Sequence, residues 1–180
     1  MMQFASNGSY IGAYRFGWDT TPGIYSHGGS YSVDIKDNQY GGVGSYCNTE
    51  SVCPSDRTAS NPAYPEAYFI TQLNHNLNTE FRFQNTNTLS CSRDANGNVT
   101  CVSDHPAGFE WCVNAFVIDS NGTLYANSED GNLFAILQGG TLRDKIFQQL
   151  ALGAAYTPTS IGSDGRIYSQ NAGHLFVAGN

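Results

Sequence analysis

Two short stretches set an aromatic ring beside a carboxylate: Trp18-Asp19 in "GWD" and Glu110-Trp111 in "FEWC". An indole next to an acid suits a sugar or a cation. The ring offers a flat apolar face with a negative quadrupole, and the carboxylate accepts hydrogen bonds or charge. Trp18, Asp19, Glu110 and Trp111 are therefore the candidate ligand-binding residues. The competing reading is packing, because tryptophan is large and commonly fills the space between elements.

The cysteines fall into local pairs. Cys47 and Cys53 sit in "YCNTESVC", and Cys91 and Cys101 sit in "CSRDANGNVTC" around a central Asn96-Gly97. These spacings allow two loop-closing disulfides, the second clamping a hairpin, as against free buried thiols. Cys112 is left over as a buried thiol. A zinc site fits poorly, since no CxxC pair occurs and His27, His75, His105 and His174 are scattered. Disulfides place the chain in an extracellular or periplasmic compartment. Its start, "MMQFASNGSY", shows no basic segment followed by an apolar one, so no signal peptide is legible in this chain.

Other polar residues carry weaker signals. Asp119, Glu129, Asp130 and Asp164 would suit Ca²⁺, but no EF-hand spread of ligands with a terminal Glu is present, and hairpin turns account for them. His27 and His105 lack a Ser or Cys nucleophile context, and no G-x-S-x-G elbow occurs. No catalytic residue and no metal ligand is assigned. The Asn-X-Ser/Thr sites at Asn7, Asn98 and Asn121 are expected by chance in so Asn-rich a chain.

These residues hang on a repeat. "WDTTPGIYSHGGSYSVDIKDN" from Trp18, "WCVNAFVIDSNGTLYANSEDG" from Trp111 and "AYTPTSIGSDGRIYSQNAG" from Ala155 share one pattern. Pro22, Ala115 and Pro158 correspond, and each is followed at a constant interval by a turn: Gly28-Gly29, Asn121-Gly122, Asp164-Gly165. These dipeptides favour the type I′ turn, which needs positive φ at both central residues. Second turns are expected at Asp37-Asn38, Asp130-Gly131 and Ala172-Gly173. Each copy then reads strand, turn, strand, turn, strand, which is a β-meander.

Ala115 and Pro158 lie 43 residues apart, the stride of a propeller blade of roughly 40–45 residues. The first copy is longer, with polar insertions at 41–66 and 86–108 that hold both cysteine pairs. "AYFITQL" and "EFRFQ" supply its third and fourth strands. The second copy should find its fourth strand in "TLRDKIFQQLALG", although Leu142, Ile146, Phe147 and Leu150 also fit helical spacing. The segment 9–17, "SYIGAYRFG", reads as an orphan outer strand.

"GTLYANSEDGNLFAI" and "GRIYSQNAGHLFVAG" resemble the repeat of quinoprotein-like (PQQ-like) β-propellers. The resemblance implies blades at 18–108, 109–153 and 154–180, and suggests the C-terminal segment of a larger ring. It also brings pyrroloquinoline quinone and Ca²⁺ as cofactors of the family's enzymes, which use a disulfide between adjacent cysteines and an aspartate base. This chain has no Cys-Cys dipeptide, so no catalytic residue carries over.

Composition agrees with an all-β fold. There are 20 Gly, 11 Tyr and 10 Phe, and hydrophobic residues make up 40%, which favours strands and turns over helices or disorder. The net charge of −7 argues against nucleic acid. No apolar run approaches the ~20 residues of a membrane-spanning helix. The expectation is three propeller-type blades with two disulfide-clamped insertions, acting as a non-catalytic recognition segment. Its partners are further blades or a second copy of the chain, and a small-molecule or glycan ligand. The alternatives are a PQQ-type oxidoreductase fragment and a carbohydrate-active propeller.

Overall fold

A computed structural model describes residues 2–13, 23–27, 30–38, 68–74, 76–106, 108–109, 111, 116–153 and 158–179. They form fifteen strands and no helix. An N-terminal hairpin joins β1 (Met2–Phe4) to β2 (Tyr10–Ala13). The first large sheet is an antiparallel meander of β3 (Gly23–His27), β4 (Ser30–Asn38), β5 (Tyr68–Asn74) and β6 (Thr79–Gln84). A separate hairpin pairs β7 (Leu89–Arg93) with β8 (Val99–Ser103). The second meander runs β9 (Val117–Ile118), β10 (Leu124–Asn127), β11 (Asn132–Ile136) and β12 (Leu142–Phe147). The third has three strands, β13 (Ser160–Ile161), β14 (Ile167–Asn171) and β15 (His174–Ala178). Among the described residues no helix is long and apolar enough to cross a membrane.

The meanders fall where the repeat predicts them. The ambiguous "TLRDKIF" is strand β12, laddered to β11 from Asn132↔Phe147 to Ile136↔Leu142. Three expectations are corrected. Asp37-Asn38 is no turn, because β4 runs through Asn38 and pairs Asp37 with Phe69. The segment read as an orphan outer strand is, over Tyr10–Ala13, paired in a hairpin with Met2–Phe4, and residues 14–17 lie outside the described residues.

The third correction concerns turn type. Asp94–Asn98, Asp119–Thr123, Ser128–Asn132 and Gly162–Arg166 share one design. The first residue donates its N–H to the fifth carbonyl, and the fourth donates back to the first. The fourth residue, Gly97, Gly122, Gly131 or Gly165, has φ between 78° and 88°. The residue before each glycine keeps negative φ, so these are type I turns closed by a glycine bulge, not type I′. In two of them, those that start at Asp94 and Asp119, the Asx side chain supports the turn. Asp119 Oδ1 accepts from the N–H of Asn121 and of Thr123, and Asp94 Oδ1 accepts from Asn96 and Asn98, which holds the first turn residues in the right-handed region. Among the described turns Ala172-Gly173, at φ 50° and 78°, is a two-residue turn of the expected kind, and Gly28-Gly29 lies outside the described residues.

The sheets stack on one another. Ile70 of β5 and Phe81 and Phe83 of β6 share a face and pack on Leu124, Ala126, Phe134 and Ile136 of the second sheet, with Trp111 and Phe116 buried between. Trp111 meets Phe134 edge-on at 5.0 Å and Phe83 at 5.9 Å. The opposite face of the second sheet carries Tyr125, Leu133 and Ala135 and looks toward Ile167 and Ala178 of the third sheet. The middle meander is thus covered on both sides.

The chain leaving each outer strand is tied to a turn of the next sheet. After β6, Asn85 Nδ2 donates to Ser128 Oγ at 2.8 Å, and Asn87 Nδ2 donates to Asp130 Oδ2 at 3.1 Å, both in the β10–β11 turn. After β12, the Leu150 N–H donates to Asn171 Oδ1 at 2.8 Å, and Asn171 Nδ2 donates to the Leu150 carbonyl at 3.0 Å, at the β14–β15 turn. Gln148 Nε2 also donates to Ser169 Oγ. Ser128 and Asn171 occupy equivalent places in their meanders, so both junctions are tied at the same position, though by different donors and acceptors.

The Cys91–Cys101 disulfide is present and joins directly opposed residues of the β7–β8 hairpin. That hairpin docks on the exit of β12: the Arg93 N–H donates to the Gln149 carbonyl at 2.9 Å, and Arg93 Nε donates to the Gln148 carbonyl at 3.2 Å. Cys47, Cys53, Cys112 and the insertion 41–66 lie outside the described residues.

Candidate functional site

Of the four residues singled out for ligand contact, Trp18, Asp19 and Glu110 lie outside the described residues. Trp111 is fully buried among Phe83, Phe134 and Ile70. It offers no face to a ligand, so its packing role displaces the binding role the sequence suggests.

Among the described residues a concave surface lies between the second and third meanders. Two adjoining clefts meet at Tyr125, Gly165 and Ile167. One, of about 210 Å³, is walled by Leu133, Ala135 and Ile167 and rimmed by Arg143, Asp144 and Lys145. The other, of about 470 Å³, is bounded by Ile118, Asp119, Asn121 and Ile161. Strand alternation positions these groups. Tyr125, Ala135 and Asp144 lie in one cross-strand row, and Leu133 pairs with Ile146 in the next.

Tyr125 is held by a turn. Its hydroxyl donates to Asp119 Oδ2 at 3.1 Å, while Asp119 Oδ1 accepts the two backbone N–H groups of its own loop. Burial acts to raise the Asp119 pKa. The N–H groups of Thr123 and Asn121 and the Tyr125 hydroxyl outweigh it and hold the carboxyl below its ordinary range. Tyr125 moves the other way, pushed up by burial and then by the Asp119 carboxylate it donates to. At neutral pH the cleft therefore presents a neutral phenol locked to an anion on one side and the Arg143 guanidinium beside the Asp144 carboxylate on the other, while Lys145 Nζ lies over the Phe134 ring on the opposite face of the sheet. The third meander copies the anchor. Tyr168 OH donates to Asp164 Oδ2 at 3.3 Å, and the Arg166 N–H foremost keeps Asp164 in its charged form.

A second constellation was not legible in the sequence. Ser90 Oγ lies 2.6 Å from Asp104 Oδ1 and 3.1 Å from His105 Nδ1, and His105 Nδ1 lies 2.7 Å from the same Asp104 oxygen. Ser90 and His105 are 15 apart in sequence and meet only because Leu89 pairs with Ser103 across the hairpin. The residue types are those of a hydrolytic triad, but the geometry is not. In a triad the hydroxyl and the carboxylate use opposite ring nitrogens, so that a proton taken on one side is balanced on the other. Here both crowd Nδ1. The ring stacks on Phe109 at 3.9 Å, and the His105 backbone N–H donates to the Thr88 carbonyl at 3.2 Å. Hydrogen bonds from Ser90 first and His105 second lower the Asp104 pKa. The cluster closes the loop back onto the core.

Asp119, Asp130 and Asp164 sit in turns, as their sequence context suggests. Asp130 Oδ1 accepts the Asn132 N–H at 2.9 Å. Among the described residues no group of three or more His, Cys, Asp or Glu is placed to hold a metal ion. No family model matches the chain, and no curated protein matches it.

Proposed function

We propose that the chain is a segment of a β-propeller of the quinoprotein-like repeat, with blades at 18–108, 109–153 and 154–180, secreted or periplasmic, and that it recognises ligands rather than transforming them. The observation that carries the reading is that both junctions are tied at equivalent positions, Ser128 and Asn171. Asn85 grips Ser128, and Asn171 grips Leu150, so the step from the first meander to the second resembles the step from the second to the third. A stack propagated by a constant step is what a blade array is. The disulfide supports an oxidising compartment.

The recognition surface is the cleft at Tyr125. Its apolar wall, fixed phenol and Arg143 guanidinium suit an amphipathic small molecule with a carboxylate or a similar anionic group, a uronic sugar among them. A backbone-amide NMR titration with glucuronate and with neutral glucose tests this. Glucuronate should shift Tyr125, Arg143, Lys145 and Ile167, and glucose should shift them less. Acquisition of quinone absorbance and dye reduction after incubation with pyrroloquinoline quinone and Ca²⁺ would overturn the non-catalytic reading.

A further inference from the structure

The cleft between the second and third meanders has a second layer beneath its apolar wall. Four of its lining residues come from four strands: Tyr125 of β10, Ile146 of β12, Ile161 of β13 and Ile167 of β14. In a strand the next residue on the same face lies two positions along, about 7 Å away. Taken in the direction of the β10–β11 and β14–β15 turns, that step leads from Tyr125 to Asn127, from Ile146 to Gln148 and from Ile167 to Ser169. On the antiparallel β13 it leads from Ile161 back to Thr159. All four residues reached are polar, and each is at most 3% exposed. Register ties them to the same gap. Asn127 is opposite Leu133, and Leu133 is opposite Ile146; both of these line the cleft. Gln148 crosses the gap and donates from Nε2 to Ser169 Oγ. Thr159 lies one step past the Ser160↔Tyr168 pair and so stands across from Ser169.

The layer does not satisfy itself. Asn127 Nδ2 and Oδ1, Gln148 Oε1 and Thr159 Oγ have no hydrogen-bond partner among the described residues. Buried polar atoms are nearly always paired, so several orphans facing one gap point to a partner that arrives from outside. Their chemistry says which kind. The Asn127 carboxamide offers a donor beside an acceptor, Thr159 can do either, and Gln148 Oε1 accepts. A hydroxyl donates and accepts at once, so neighbouring hydroxyls match this set. A carboxylate alone only accepts, and an aliphatic body leaves every one of these atoms unpaired. Among the described residues the apolar cluster joins the first and second sheets, so parting the second and third at this end does not break it.

We propose that the ligand of the Tyr125 cleft is a polyhydroxylated carboxylate, a sugar acid, whose hydroxyls enter between the second and third meanders and pair with Asn127, Gln148 and Thr159 while its carboxylate stays at Arg143. The proposal rests on the anion-binding reading of the cleft and narrows it, setting aside carboxylates that carry no hydroxyls. Asn127 is then a specificity residue that the fold alone does not require, and rules of folding are broken most often where function asks for it.

NMR titrations with glucuronate and with cyclohexanecarboxylate, which keeps the six-membered ring and the carboxylate without any hydroxyl, test this. Glucuronate should bind at least about tenfold more tightly, and it alone should shift the side-chain NH₂ signals of Asn127 and Gln148. Asn127→Leu should weaken glucuronate about tenfold and leave cyclohexanecarboxylate within about twofold. Denaturant unfolding should show this variant at least as stable as the parent, because the Asn127 side chain makes no hydrogen bond among the described residues. Thr159→Val should also weaken glucuronate selectively. Equal affinity of the two ligands for the unaltered chain would overturn the proposal and leave the anion cleft standing. Discrimination that survives both substitutions would overturn it too, since the polar layer would then serve the fold. Binding of neither ligand would remove the cleft reading and the proposal together.

Discussion

Asp119 binds its own loop with one oxygen and Tyr125 with the other, so its charge is part of the fold. The carboxyls of Asp94, Asp104, Asp119 and Asp164 are all held below their ordinary range by the hydrogen bonds they accept. A carboxyl that is more acidic in the folded state stabilises fully above its unfolded pKa, near about 3.9, and loses that contribution as pH falls through the lower folded value. The protein should therefore weaken below about pH 4. Asp119→Asn keeps an acceptor but cannot titrate, so it should flatten the pH dependence of stability in that window. Asp119→Ala should cost about 1–2 kcal/mol at neutral pH, read by denaturant unfolding. Two buried asparagines give a contrast. The Asn171 carboxamide is bonded at both ends to Leu150, whereas Asn127 is fully buried with neither polar atom paired. Asn171→Leu should destabilise by about 1–3 kcal/mol, and Asn127→Leu should be neutral or stabilising by about 1 kcal/mol. At this scale the sequence speaks clearly only where chemistry is local. The turn aspartates were legible because an Asx turn is written in five consecutive residues. The Ser90–Asp104–His105 cluster was not, because hairpin register makes it. Nor was the burial of Trp111, which depends on Phe83 and Phe134 arriving from two different sheets.

Elements show the same division. Meanders were legible from alternation and from regularly spaced Gly, but the turn type was not, since Asn-Gly suits both a type I′ turn and a type I turn with a glycine bulge. The side chain that decides, Asp94 or Asp119, lies two residues earlier. The strand at Leu142–Phe147 was the expectation, with a helix as its rival. Its spacing fits a helix, and the ladder offered by the open edge of β11 overrides it. Glycines at equivalent bulges differ in what surrounds them. Gly97, at φ 88°, has nothing within 4 Å of an added Cβ, whereas at Gly131, at φ 82°, that atom would lie 2.7 Å from the Leu150 carbonyl oxygen. Gly97→Ala should therefore cost only the left-handed conformation, about 1–2 kcal/mol. Gly131→Ala should cost distinctly more, because the crowding atom is backbone that belongs to the clamp between the second and third meanders. Thermal unfolding of the two variants measures the difference.

On the scale of the molecule, the middle meander carries the account. One of its faces meets the first sheet through Phe83, Trp111 and Phe134, and the other meets the third sheet across the Tyr125 cleft. Stride and turn spacing made the three larger meanders legible, but not the N-terminal hairpin. The order of stacking and the cleft it creates were not, because they follow from how copies lie against one another rather than from any copy alone. The most direct measurement is a set of side-chain NOEs on the intact chain. The account predicts cross-peaks from the Leu124 and Ile136 methyls to Ile70, and, from the opposite face, from the Tyr125 ring and Leu133 methyls to Ile167. If Ile167 shows contacts within its own sheet but none to Tyr125 or Leu133, the third meander is not stacked on the second and the blade array is contradicted.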